Sequence, residues 1–129
     1  MAKKEHWLDA PEDHDYDAAA SYLSMLLPKA AVDSVVAALR KAEPTTYKAK
    51  DLLRASGLAL LPEDNEHVAK DRAKIDNGEK ISPVLLVLGD IRVGQPLTVA
   101  DGYHRICASY YLEEDADIPC HAASAKAVG

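Results

Sequence analysis

The residues best suited to chemistry are contiguous: Asp101-Gly102-Tyr103-His104-Arg105, where the apolar segment Leu97–Ala100 gives way to a helix running from about Tyr103 to Leu112. The leading N–H groups of a helix have no partner within it, and the helix dipole places about half a positive charge there. Gly102 removes the Cβ that would keep a ligand away from the backbone. Arg105 offers a planar fork that matches phosphate oxygens, and His104 a donor whose charge changes near neutral pH. Two basic side chains in a first helical turn oppose the dipole, by up to about 1 kcal/mol each, unless an anion sits between them. The pattern predicts an oxyanion site best suited to phosphate. The alternative is that Asp101 caps the helix while His104 and Arg105 lie on the surface.

Further basic residues lie on the helix expected over residues 64–76. His67, Lys70 and Lys74 are spaced by three and four residues and share one face, with Asp71 beside them. They either face the same phosphate or, balanced by Asp71 and Glu66, form a solvated surface. Asp101 is the carboxylate nearest the turn and, with His104, the candidate for proton transfer; Glu63, Asp64 and Glu66 are weaker candidates. No metal centre is expected. His6, His14, His67, His104 and His121 show no His-x-x-x-His spacing, and Cys107 and Cys120 lack the Cys-x-x-Cys spacing of a zinc or redox site. Both thiols are expected to be buried and inert, Tyr110 and Tyr111 to pack the core, and Lys48, Lys50 and Arg54 to lie on a helix surface.

Three stretches of chain must position these residues. Residues 1–15 are polar and acidic around Trp7 and Leu8 and read as a flexible arm. Residues 16–57 read as a helical extension. Ala18, Ala19, Tyr22, Leu23 and Leu26 recur at helical steps, and Pro28 opens a second helix that carries Val32, Val35, Val36 and Leu39 to about Lys41. Thr46 then caps a short helix with Leu52 and Leu53, stopped by Gly57. Residues 58–129 change character. Leu58–Leu61 reads as a strand or extended segment, and a helix capped by Asp64 or Asn65 ends at Asn77-Gly78. Ile81–Leu88 is the strongest strand, continuously apolar after Pro83 and so buried on both faces. Gly89–Pro96 reads as a loop, Leu97–Ala100 and Ile118–Ala122 as further strands. The expected fold class is α+β: a small mixed sheet with packed helices, preceded by the helical extension and forming one unit with it.

Composition sets the outer limits. The chain has 129 residues, 48% hydrophobic and 28% charged, enough for a core without a metal or disulfide staple. No apolar run is longer than that of Val84–Leu88, which falls far short of the roughly 20 residues of a membrane span. Lys3 and Lys4 are not followed by the apolar stretch of a signal peptide, so a cytoplasmic location without membrane contact is expected. Fifteen Lys and Arg against 21 Asp and Glu give a net charge of −6. That argues against nucleic acid as a partner, because phosphate neutralisation requires a basic surface.

Val99–Ser109, with its leading strand Val84–Leu88 and trailing Ile118-Pro119-Cys120, resembles the ParB/sulfiredoxin-like superfamily, the group of the ParB-like nuclease domain. Members carry an apolar strand, a second strand entering a Gly-x-His-Arg or Gly-Glu-Arg-Arg turn, a helix with small residues, and a closing Ile-Pro strand. The likeness reaches upstream to about Leu58, covers roughly half the chain and leaves residues 16–57 outside. It implies that superfamily's fold and a nucleotide phosphate site at the turn. Gly102, Tyr103, His104 and Arg105 would contact the nucleotide there, with His67, Lys70 and Lys74 on the corresponding helix; the cofactor would be of ATP or CTP type, with Mg²⁺.

The departures narrow the activity. Tyr103 stands where sulfiredoxin has its catalytic cysteine and cannot form its sulfur intermediates; Cys107 lies a turn further on. Tyr103 and His104 replace the Glu and first Arg of the Gly-Glu-Arg-Arg form. A stand-alone member is expected, without the helix-turn-helix of partition proteins. The expected function is binding of a nucleotide or other phosphorylated small molecule. Two readings stay open: a nucleotide hydrolase or small-molecule phosphotransferase, and a non-catalytic, nucleotide-responsive module that engages a protein partner through residues 16–57. A DNA-binding or nuclease role ranks last.

Overall fold

Four consecutive apolar residues, Val84–Val87, form the strand around which the other elements are arranged. The computed structural model describes residues 6–124 and 126; Lys3 and Lys4, at the head of the expected arm, lie outside the described residues. In chain order the elements are β1 (His6–Trp7), α1 (Asp13–Leu23), α2 (Lys29–Lys41), β2 (Thr45–Lys48), α3 (Ala49–Ser56), α4 (Glu66–Asp76), β3 (Lys80–Ile81), β4 (Val84–Val87), β5 (Thr98–Asp101), α5 (Tyr103–Leu112) and β6 (Asp117–Ala123). A single 3-10 turn, Ile91–Val93, interrupts the loop between β4 and β5. The class is α+β, with five helices and small mixed sheets among the described residues.

The main sheet has the order β2-β6-β4-β5. Its central pair, β4 and β6, is parallel, and the outer pairings are antiparallel. Side chains alternate across a strand, so β4 feeds two cores. Leu85 and Val87 pack with Tyr16, Ala19, Val35 and Leu39 of α1 and α2. Val84 and Leu86 pack on the other face with Leu52, Val68 and Ile106 from α3, α4 and α5. The result is three layers, which is why β4 reads as uninterrupted apolar sequence rather than alternation.

Several boundaries differ from the sequence reading, each for a local reason. Of the stretch 1–15, His6 and Trp7 pair in parallel with Lys80 and Ile81, and α1 already starts at Asp13. Glu12 and Asp15 form a reciprocal capping box there, with Glu12 N–H donating to Asp15 Oδ2 at 2.8 Å. The buried stripe of α1 runs through Tyr16, Ala19 and Leu23, and the helix ends at Leu23, so that Tyr22 and Leu26 are exposed. Residues 16–57 are not wholly helical: Thr45–Lys48 is an edge strand paired with Asp117–Cys120. Thr46 therefore caps nothing. The first amides of α3 donate instead to backbone, Ala49 N–H to Ala116 O and Lys50 N–H to Glu114 O, both at 3.0 Å. Leu58–Leu61 forms no strand. The run 81–88 is split between β3 and β4, because Pro83 has no N–H for a ladder.

Candidate functional site at two helix N-termini

β5 delivers Asp101 to the turn, Gly102 reverses the chain at φ +113°, and Ile106 N–H closes the first turn of α5 on Gly102 O at 3.0 Å. No side chain caps α5, so the leading amides of Tyr103, His104 and Arg105 have no partner within the helix. Gly102 is required by the fold as well as by its φ. A Cβ there would lie 2.5 Å from Val84 Cγ1, so the space on that side is filled by β4 rather than left open.

Of the face expected on α4, the structure brings His67 to this turn. His67 is the second residue of α4 and His104 the second residue of α5, and their rings lie 4.8 Å apart at 48°. Two helix N-termini, each carrying a partial positive charge, thus converge on a pair of imidazoles. At α4 the leading amides are partly satisfied, since Asn65 Oδ1 accepts from His67 N–H and Val68 N–H at 3.0 and 3.2 Å. Burial pushes His104 below the ordinary histidine range, helped by neighbouring His67 and Arg105 and opposed by Asp71. Lys70 is exposed and Lys74 half-buried further along α4, and among the described residues neither forms an ion pair.

Arg105 and Asp101 are committed to each other. Arg105 Nη2 donates to Asp101 Oδ2 at 2.9 Å and to Pro83 O at 3.3 Å, and Nη1 lies 3.7 Å from Asp15 Oδ1. The side chains of Arg105 and Asp15 are only 16% and 3% exposed, and Arg105 Nε is buried without a hydrogen-bond partner. Burial, aided by Asp15, raises the Asp101 carboxyl above the ordinary carboxylate range against the pull of Arg105. In this arrangement Arg105 braces the turn from inside; it does not present its fork outward. Asp15 is the residue that the sequence reading missed, although the Glu12-x-x-Asp15 spacing was the available signal.

Tyr103 points away from the turn: its hydroxyl donates to Ala59 O, and that of Tyr111 donates to Leu61 O. Residues 58–61 are thus laid along α5 by side-chain bonds instead of strand pairing. Cys107 and Cys120 are free and buried, their thiols raised by burial, that of Cys120 to about 12. His121 is buried under α2, with Nδ1 3.1 Å from Ala42 O.

The residues at the turn fit phosphate oxygens better than a metal ion. The amides of α5 and the two imidazoles are donors, with Lys70 one turn along α4 from His67. The carboxylates of Asp101 and Asp15 are engaged with Arg105, and Asp71 lies near enough to His104 to oppose its shift. Among the described residues no group of three or more His, Cys, Asp and Glu is arranged to hold a metal. Two cavities, of about 620 and 510 Å³, lie at the far end of β4, around Leu88, Gln95 and Pro96, and not at Gly102. No helix among the described residues is long and apolar enough to cross a membrane. Comparisons with protein-family models, curated proteins and solved structures return no match.

Proposed function

We propose that the protein binds the phosphate groups of a nucleotide, of ATP or CTP type, or of another phosphorylated small molecule, as a ParB/sulfiredoxin-like domain. The phosphates would sit between the first turn of α5 and the His67–Lys70–Lys74 face of α4. The observation that carries this reading is the 4.8 Å contact of His67 and His104 at two adjacent helix N-termini. Such a junction concentrates positive potential, and the two imidazoles can donate ring N–H groups to a bound anion. Arg105 serves the site by holding Gly102 and the α5 amides in place. Binding is better supported than turnover, because Asp101 is tied to Arg105, which leaves His104 as the group free to move a proton.

Arg105 also favours a nucleotide-responsive module, since Asp15 ties α1 to the same guanidinium. An anion at the turn that drew on Arg105 would loosen that tie and alter how the turn after α1 presents the exposed Met25 and Leu26.

Thermal unfolding with ATP, CTP, GTP, UTP and inorganic phosphate, with and without Mg²⁺, tests the proposal. A ligand at 100 times its Kd adds roughly 2.7 kcal/mol to stability. The expected result is a rise in Tm that His104→Ala and Lys70→Ala each diminish and Lys48→Ala does not. Phosphate release in the same mixtures separates an enzyme from a binding module. No shift with any of these anions would overturn the reading.

A further inference from the structure

We propose that the larger cavity, at the opposite end of β4 from the α5 turn, is a binding site for a small apolar ammonium compound, an alkyl- or arylamine in its protonated form. Its volume, about 620 Å³, is that of a small-molecule site, and such sites combine apolar walls with a few polar groups. One wall is α3, through Leu52 and Ala55; the other is the loop after β4, through Leu88, Pro96 and Leu97.

That loop is stiff before any ligand arrives. Asp90 N–H donates to Gln95 O at 2.8 Å, and Gln95 N–H donates back to Asp90 O at 3.0 Å. The Asp90 carboxylate accepts from Arg92 Nε and Nη2 at 3.0 and 2.8 Å. Leu97 N–H donates to Ala55 O at 3.2 Å, which ties the two walls together. A Cβ on Gly89 would lie 2.3 Å from Gln95 O, so the chain crosses itself without slack. Walls fixed in advance spare a ligand the entropic cost of ordering them.

Charge selects the ligand. Asp51 is the one charged residue lining the cavity; Tyr47 and Gln95 are neutral, and no basic residue joins them. The half-exposed Asp51 carboxylate has Arg54 at 3.9 Å, itself largely in solvent, while Lys50 is held by Asp115 at 2.6 Å. An entering anion would meet Asp51 with no lining cation to offset it. An ammonium meets a carboxylate above apolar walls, with the Tyr47 ring available to a cation.

The test uses three near-isosteric probes, 2-phenylethylammonium, 2-phenylethanol and 3-phenylpropionate, titrated into the full chain. Amide NMR shifts of Ala55, Gly89, Gly94 and Leu97 give the readout. The expected result is tightest binding of the ammonium, by about fivefold over the alcohol, as one partly exposed charge pair gives. Asp51→Asn should erase that preference and Asp51→Glu retain it, with both variants keeping the wild-type unfolding midpoint. Equal binding of the three probes, a preference that survives Asp51→Asn, or no shift with any probe overturns the proposal. Dilution-dependent shifts of the same amides without probe would show a second copy in the cavity and overturn it too.

Discussion

Asp15, in the first turn of α1, faces Arg105, in the first turn of α5, with 3.7 Å between Oδ1 and Nη1 and both side chains largely buried. A carboxylate near the start of the chain thereby fixes a guanidinium at the candidate site. Removing one partner of a buried pair typically costs 3–5 kcal/mol. Asp101 still neutralises Arg105, so Asp15→Ala should cost less, about 2–3 kcal/mol by urea denaturation, part of it from the lost capping bond to Glu12 N–H. Asp33→Ala breaks an exposed pair with Lys29 and should change stability by less than about 0.5 kcal/mol. Equal effects of the two substitutions would mean that the Asp15 contact carries no structural weight.

Gly102 and Gly57 both have positive φ, +113° and +70°, but only Gly102 is crowded. Gly57→Ala should cost about 1–2 kcal/mol, the left-handed backbone penalty alone. Gly102→Ala adds the collision with Val84 and should cost about 3 kcal/mol or more. Adding Val84→Ala to Gly102→Ala should recover part of the collision energy in a double-mutant cycle. Additive losses would show that the two side chains do not meet.

The Asp101 carboxyl is raised chiefly by burial, whereas Asp90 is lowered by its bonds to Arg92. In a carbon-detected titration Asp101 should therefore take up its proton at higher pH than Asp90. Because the folded state binds this proton more tightly than the unfolded chain, whose value is about 3.9, Asp101 favours the fold most below that value. The contribution fades as pH rises through the folded midpoint. Titration of Asp101 at or below Asp90 would contradict the buried cluster.

His104 shows the opposite shift, lowered first by burial and then by His67 and Arg105. Its folded midpoint should lie below the ordinary 6.5, and its contribution to stability should be lost as pH falls from about that value through the folded midpoint. His67→Ala should move the midpoint upward by removing one of the groups that lower it. Bound phosphate should raise it as well, visible in the ring-proton NMR signal. An unmoved midpoint at saturating phosphate would place the anion elsewhere.

Much of the layer arrangement was legible because β4 and the α2 face Val32, Val35 and Leu39 have unambiguous apolar patterns. The spacing of His67, Lys70 and Lys74 put them on one face of α4, but that this face meets the Gly102 turn came only from the family resemblance, and the structure brings His67 there. Short segments were not legible. Thr45–Lys48 is exposed along its length, so its strand state depends on pairing with β6 rather than on its own residues. The commitment of Arg105 to Asp15 was hidden for the same reason: it is a contact between residues ninety positions apart, to which local periodicity is blind.

The position of β6 at the centre of the main sheet has a consequence for biosynthesis. Both β2 and β4 are translated well before it, and among the described residues β2 has its ladder partner only in β6. A nascent chain thus emerges from the ribosome with two strand edges waiting, and the sheet closes only after residues 117–123 leave the exit tunnel. Until then those edges are open to chaperones or to neighbouring nascent chains.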